Sequence, residues 1–247
     1  MSERRILEIA ANSLTSALAA QAGGADRIEL CENLGEGGTT PSYGTIALAR
    51  ERLTIAVYVL IRPRGGDFVY DGDEREAMRR DVAMCRQLRC DGVVLGALDV
   101  DGDVDIDTCR ALIDEAGTMG VTFHRAFDAA RDPVAALERI VDLRCERVLT
   151  SGGQPTALAG ADAIAAYARQ SAGRMRIMAG AGVNAAILPE LIRRGGVNEV
   201  HASARRLRAS PATNRAGLLP GLEPDYMATD VDEVRALRAA LDGSTTK

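Results

Sequence analysis

The sequence predicts one α/β domain, a TIM-type (β/α)8 barrel, on three observations. Eight short apolar runs of strand character begin near Ile6, Arg27, Ile55, Gly92, Val121, Arg147, Met175 and Asn198. Their spacing, about 20 to 40 residues, is that of a βα unit, and Ala/Leu/Arg segments with helical periodicity lie between them. Most of the runs stop abruptly at charged or Gly-rich residues, which gathers the chemistry at strand ends on one working face. The 247 residues suit a barrel of about 5–202 with an extension of about 203–247. An open doubly wound sheet is the alternative, but the first turn, Ala10-Ala11-Asn12, lacks the Gly-rich dinucleotide fingerprint.

The helices follow in order, each with a mechanical boundary. Ser13–Ala22 starts on a capping serine and stops at Gly23-Gly24. Asp73–Leu88 and Asp105–Ala116 come next, the second closed by Gly117. Asp132–Leu143 has Asp132 as N-cap and Pro133 at the first helical position. Asn184–Arg194 has Asn184 as the expected cap and ends at Gly195-Gly196. Past the barrel an Arg-rich irregular piece runs from Ser203 to Arg215, followed by Pro220-Gly221 and Pro224. A last helix spans about Val231 to Leu241. The extension reads as a C-terminal wrap, or as one that brings Arg205, Arg206 or Arg208 to the barrel mouth to hold an anion.

Composition removes several function classes. Hydrophobic residues make up 47% and charged residues 26%, ordinary for a globular domain with a sizeable core. A net charge of −5 and 3% aromatic residues argue against a nucleic-acid partner. No apolar run approaches the roughly 20 residues that span a bilayer, so no membrane partner is expected. Five cysteines without a CxxC pair read as reduced thiols of a cytoplasmic chain. Of the 30 basic residues the sole lysine is Lys247, at the chain end. Schiff-base aldolases and pyridoxal-phosphate enzymes need a buried, positioned lysine, and both are excluded.

Phe123-His124-Arg125-Ala126-Phe127-Asp128 puts an imidazole, a guanidinium and a carboxylate at the end of the fifth strand. Other runs stop at Glu29-Leu30-Cys31, at Ile61-Arg62-Pro63-Arg64 and at Leu149-Thr150-Ser151-Gly152-Gly153. The last two end at Met178-Ala179-Gly180-Ala181-Gly182 and at Glu199-Val200-His201. Strand side chains alternate faces, and the outer face of a barrel must be apolar beneath its helices. Glu8, Glu29, Arg62, His124, Glu199 and His201 should therefore point inward and converge from five strands. His124, Glu29, Glu8, Asp128, Glu199 and His201 are the candidate acid–base groups, since an imidazole or a desolvated carboxyl moves protons near pH 7. Arg62, Arg64 and Arg125, with the turns at Ser151-Gly152 and Gly180 to Gly182, are the candidate anion binders. The plainer readings are an Arg–Glu network plugging the barrel and a surface loop pairing Arg62 or Arg64 with Asp67 or Asp71.

Cys31 shares the parity of Glu29, while Cys85, Cys90, Cys109 and Cys145 fall in or beside helices as small buried hydrophobes. Copper(I) prefers two or three soft donors together. Cys31, His124 and His201 are the candidate ligands; a hard divalent ion would instead use Glu29, Glu199 and the histidines.

The ordered motifs resemble the CutC family, named for copper homeostasis, over roughly residues 5 to 210. They are Gly23-Gly24-Ala25-Asp26-Arg27-Ile28-Glu29-Leu30-Cys31, Gly37-Gly38-Thr39-Thr40-Pro41-Ser42 and Ile61-Arg62-Pro63-Arg64-Gly65-Gly66-Asp67-Phe68, then Thr122 to Asp128, Leu149 to Gly152, Met178 to Val183 and Glu199 to His201. The resemblance implies a TIM barrel, a cytoplasmic location, copper(I) binding and a homo-oligomer, a dimer being favoured. Members with a thiol-based copper site tend to carry a second cysteine at the end of the first strand, where this chain has Ala10. The competing expectation is a lyase or isomerase moving a proton on a phosphorylated or carboxylated small molecule. In it His124 or Glu29 is the acid/base, and Arg62, Arg64 and the glycine turns hold the anion.

Overall fold

The computed structural model describes residues 4–213 and 223–244; Arg215, Pro220-Gly221 and Lys247 lie outside that range. Eight parallel strands close into a barrel in chain order. They are β1 (Ile6–Ala11), β2 (Arg27–Leu30), β3 (Ala56–Leu60), β4 (Gly92–Leu95), β5 (Gly120–Phe123), β6 (Arg147–Thr150), β7 (Arg176–Ala179) and β8 (Glu199–Ala202). Every strand starts within one residue of its expected position.

Around them lie α1 (Leu14–Gly23), α2 (Tyr43–Arg52), α3 (Gly72–Gln87), α4 (Ile106–Ala116), α5 (Pro133–Asp142), α6 (Ala161–Ser171) and α7 (Leu188–Gly195). The Ser13 hydroxyl and the Asp132 carboxylate accept from first-turn N–H groups, as expected of N-caps. Asn184 does not cap α7. Its side-chain oxygen accepts from Ala186 and Ile187 in the turn before, and the helix starts four residues later at Leu188-Pro189.

Outward-facing Leu7, Ile9, Ile28, Leu30, Val57, Val59, Val93, Leu95, Phe123 and Val148 form one continuous layer with the inner faces of the helices. Each such fully buried side chain stabilises the fold by about 1.5–3 kcal/mol. The inner wall is different. A small apolar patch of Ala10, Cys31, Tyr58, Leu60 and Val94 is set among buried charges.

Register decides which charges meet. Glu8 of β1 stands beside Arg27 of β2 on one side and His201 of β8 on the other. One inward step towards the strand ends, Ala10 stands beside Glu29. A carboxylate therefore has partners on both sides at the lower level, while at the upper level Glu29 faces a methyl group.

After the barrel, β9 (Arg205–Arg208) and β10 (Tyr226–Thr229) make a two-stranded antiparallel sheet. It is tied to the rim through Asn12, whose amide donates to the Met227 carbonyl, and Thr229, whose N–H donates to the Ser16 hydroxyl. A last helix, α8 (Val231–Gly243), starts on Asp230 and packs on α1. Gly23 lies so close that a β-carbon there would come within 2.5 Å of Val234. Among the described residues no helix is long and apolar enough to cross a membrane.

Candidate active site

The lower half of the barrel is filled by a closed ionic network. Glu8 accepts from Arg27 and from His201 Nδ1, the latter at 2.8 Å. Glu199 accepts from Arg27 Nη2 at 2.8 Å and from Arg147 Nε at 2.9 Å. Both guanidinium carbons lie 5.1 Å from the centre of the Tyr58 ring, whose hydroxyl donates to Glu146. The ring has room because β4 has Gly92 beside it; a β-carbon there would fall 2.2 Å from the ring.

Above this layer, at the C-terminal ends of the strands, opens a cavity of about 300 Å³. Glu29, Arg62, His124, Arg125, His201 and Arg205 are its ionisable lining, with Ala10, Leu34, Leu60 and Phe68 among the apolar walls. Glu29 is 5% exposed and accepts no hydrogen bond among the described residues; the His201 Nε2 lies 3.8 Å away. Burial, helped by the charge of Glu8, pushes the Glu29 carboxyl up to about 7 against the pull of His201 and Arg27. Burial alone would lower the His201 imidazole, but the carboxylates of Glu29 and Glu8 outweigh it and hold the ring above its ordinary value. Burial would likewise raise Glu8, yet Arg27 and His201 keep it far below the carboxylate range. Glu8 thus stays ionised and orients His201, and Glu29 is the group that titrates near neutrality.

His124 behaves oppositely. Burial and then the Arg62 charge lower its imidazole to about 3, so it is neutral at pH 7. Its Nδ1 accepts from the Ala126 N–H at 3.2 Å, which assigns the proton to Nε2. That Nε2–H is buried and has no partner among the described residues. The ring is positioned by Phe68, 5.0 Å away between centroids, and by Gly96, where a β-carbon would come within 2.7 Å of Nδ1.

Arg62 donates to the carbonyls of Glu36, Gly38 and Gly66, and its guanidinium lies 4.9 Å from the Phe68 ring centre. No carboxylate pairs with it among the described residues, although it is 4% exposed.

Several expected site residues sit elsewhere. Glu199 faces inward but is the first residue of β8, two before His201, and lines a separate cavity at the N-terminal face. Asp128 is not free to move a proton, because it accepts from Thr150 Oγ1, the Ser151 N–H and hydroxyl, the Gly153 N–H and Arg125. It thereby occupies the Ser151-Gly152 turn expected to bind an anion, and the Gly152 N–H goes to Thr150 Oγ1. The Gly180 N–H belongs to the barrel ladder, bonded to the Thr150 carbonyl, whereas Gly182 does line the cavity. Arg64 is held in its own loop by Glu74 and Asp67. Arg125 lines the cavity but is paired with Asp128. Arg206 pairs with Glu233 away from the cavity.

The copper ligands do not assemble. Cys31 is fully buried in the inner wall, its thiol 3.8 Å from the Ala11 carbonyl and held well above its ordinary value by burial and by Glu29. Among the described residues the one cluster able to hold a metal ion is Glu8, Glu29 and His201, with ligand atoms within 4.8 Å of one another. Two carboxylates and an imidazole are hard or borderline donors and do not fit copper(I). Arg205, Ala10, Phe68 and Gly96 complete the site, and of these only Arg205 had carried a functional reading in the sequence.

Fold and pocket together define a (β/α)8-barrel protein with an ionisable pocket at the C-terminal ends of its strands. The chain belongs to the CutC family, whose model matches residues 5–206. A family protein CutC of Xylella fastidiosa is 56% identical over 231 residues, 94% of this chain and 86% of that protein. A solved CutC structure from Streptococcus agalactiae, named for copper homeostasis, superposes with a TM-score of 0.77 at 32% identity. It covers 81% of this chain and 98% of that one. A phosphoribosylanthranilate isomerase of Thermotoga maritima shares the fold alone, with a TM-score of 0.60 at 15% identity over 97% of this chain and 99% of that one.

Proposed function

We propose that this protein is an acid–base enzyme, a lyase or isomerase that moves a proton on a small carbonyl compound bearing a phosphate or carboxylate. One observation carries the reading. An unbonded carboxyl titrating near 7 and the orphaned Nε2–H of a neutral imidazole line the same small cavity. A glutamate base working with a neutral histidine that polarises a carbonyl is an established division of labour. Here Glu29 takes a proton from the carbon beside the carbonyl, and the C–H electron pair moves into the carbonyl to form an enolate. His124 Nε2–H donates to the developing oxyanion. In a lyase the enolate electrons then break the bond from the β-carbon to a leaving group, which takes the proton from Glu29. In an isomerase acting on an α-hydroxy carbonyl the hydroxyl proton passes to the enolate oxygen, a carbonyl re-forms at the α-carbon, and Glu29 protonates the former carbonyl carbon. His201, held by Glu8 and with its imidazole raised above the ordinary value, stands beside Glu29, where its protonated form favours the ionised carboxylate.

The copper(I) reading attached to the family name has less support, since Cys31 has Ala10 rather than a second thiol beside it on the inner wall. All five thiols are unpaired and buried, which supports a reducing, cytoplasmic setting.

The test is proton exchange in D2O, followed by NMR, with a panel of phosphorylated and carboxylated hydroxyketones, aldehydes and 2-oxo acids. At least one compound should lose its α-proton, about 10²–10⁴-fold more slowly with Glu29→Gln. Equal exchange by the variant, or none across the panel, would sink the reading. So would tight stoichiometric copper(I) uptake by the reduced protein that disappears in Cys31→Ala.

A further inference from the structure

The structure assigns a binding subsite for a tetrahedral oxyanion, a phosphomonoester group, to the loops after β7 and β8. It rests on the proton-transfer reading and deepens it, by giving the substrate an anionic end and that end a place. Two glycine turns on the rim are already filled from within. Arg62 occupies the carbonyls around Gly37-Gly38, and the Asp128 carboxylate occupies the N–H groups of Ser151 and Gly153. The turn after β7 has no such internal occupant. The N–H groups of Gly182 and Val183 are bonded to no acceptor among the described residues, and both residues line the cavity. Ala181 and Gly182 hold consecutive positive φ angles of 85° and 66°, fixed in part by the Ala157 N–H on the Ala181 carbonyl. Such successive turns make a concave set of N–H donors suited to an anion.

The loop after β8 supplies charge. Arg205 lines the same cavity, its Nε is buried without a partner, and no carboxylate among the described residues pairs with it. The neighbouring Ser203 hydroxyl also lacks a partner among the described residues, while its carbonyl accepts from Thr229 Oγ1. Of the three arginines lining the cavity only Arg125 has a carboxylate partner among the described residues. Against the guanidiniums of Arg62 and Arg205, with which no carboxylate among the described residues pairs, the lining offers one acid, Glu29, so the cavity is net positive. A half-buried guanidinium with adjacent N–H and O–H donors suits phosphate oxygens. In barrels of this architecture the loops after strands 7 and 8 frequently form a phosphate site.

The experiment titrates inorganic phosphate into the full-length protein in a phosphate-free buffer near pH 7.5, by calorimetry and by thermal shift, with acetate as the carboxylate arm. Phosphate should bind saturably and more tightly than acetate. Arg205→Gln should weaken it at least tenfold and Ser203→Ala several-fold, with circular dichroism unchanged. Glu29→Gln should keep or tighten binding, because it removes a like charge. Undiminished binding in folded Arg205→Gln, tighter binding of acetate, or no phosphate binding would overturn the subsite. Phosphate binding without any α-proton exchange would sink the acid–base reading alone. Exchange on an uncharged carbonyl compound without phosphate binding would sink the subsite alone.

Discussion

The two halves of the barrel interior are built from the same residue types and differ in what those residues have left over. In the lower half Arg27, Arg147, Glu8, Glu199 and Tyr58 satisfy one another, and their charges are structural. In the upper half Glu29, His124, Arg62 and Arg205 keep a charge, a donor or an acceptor unmatched. Buried ionisable groups are costly in either setting. What separates scaffold from site is therefore unspent valence, not polarity.

Three measurements bear on that contrast beyond those given above. The largest effect should come from Glu199→Ala, which takes a shared carboxylate from two buried guanidiniums and leaves Arg27 with Glu8 and Arg147 with the exposed Glu146. Breaking a buried pair from one side costs about 3–5 kcal/mol, readable as a fall in the urea midpoint at constant m-value. Glu29→Gln at pH 7 should cost far less, and equal losses would erase the distinction between the halves.

The next effect is a pH slope. With its folded pKa near 7 against an ordinary 4.5, Glu29 binds more protons folded than unfolded between those values. Its contribution is fully present below about 4.5 and is lost as pH rises through 7. His201, also raised, acts in the same direction above 6.5. Wild-type stability should thus fall relative to Glu29→Gln by roughly 3 kcal/mol at most between pH 4.5 and 7.5. Parallel stability curves would show that Glu29 is solvated. The smallest effect belongs to Cys31→Ala. Loss of one buried sulfur should cost about 1 kcal/mol and leave proton exchange and phosphate binding unchanged. A change in either would bring the thiol into the site.

The barrel was legible because periodicity and strand-end chemistry are local, and the inward parity of Glu8, Glu29, Arg62, His124 and His201 followed from alternation alone. Depth was not legible. Glu199 and His201 share a face, but register puts one in the lower network and the other at the cavity. Pairing was equally hidden, since nothing in Ser151-Gly152 reveals that Asp128, more than 20 residues earlier, takes its donors. The helix-capping expectation at Asn184 failed for a local reason, the asparagine closing its own turn first. Arg205 stood out only as part of an Arg-rich run, because its value depends on a sheet formed with a segment some 20 residues further on.

Tyr58, clamped between two arginines above the N-terminal face, makes the barrel blind-ended. A ligand then enters and leaves by the same doorway, at the C-terminal ends of the strands. Ser203 and Arg205 line that pocket, so the strap after the barrel, as well as the barrel wall, bounds the guest it admits.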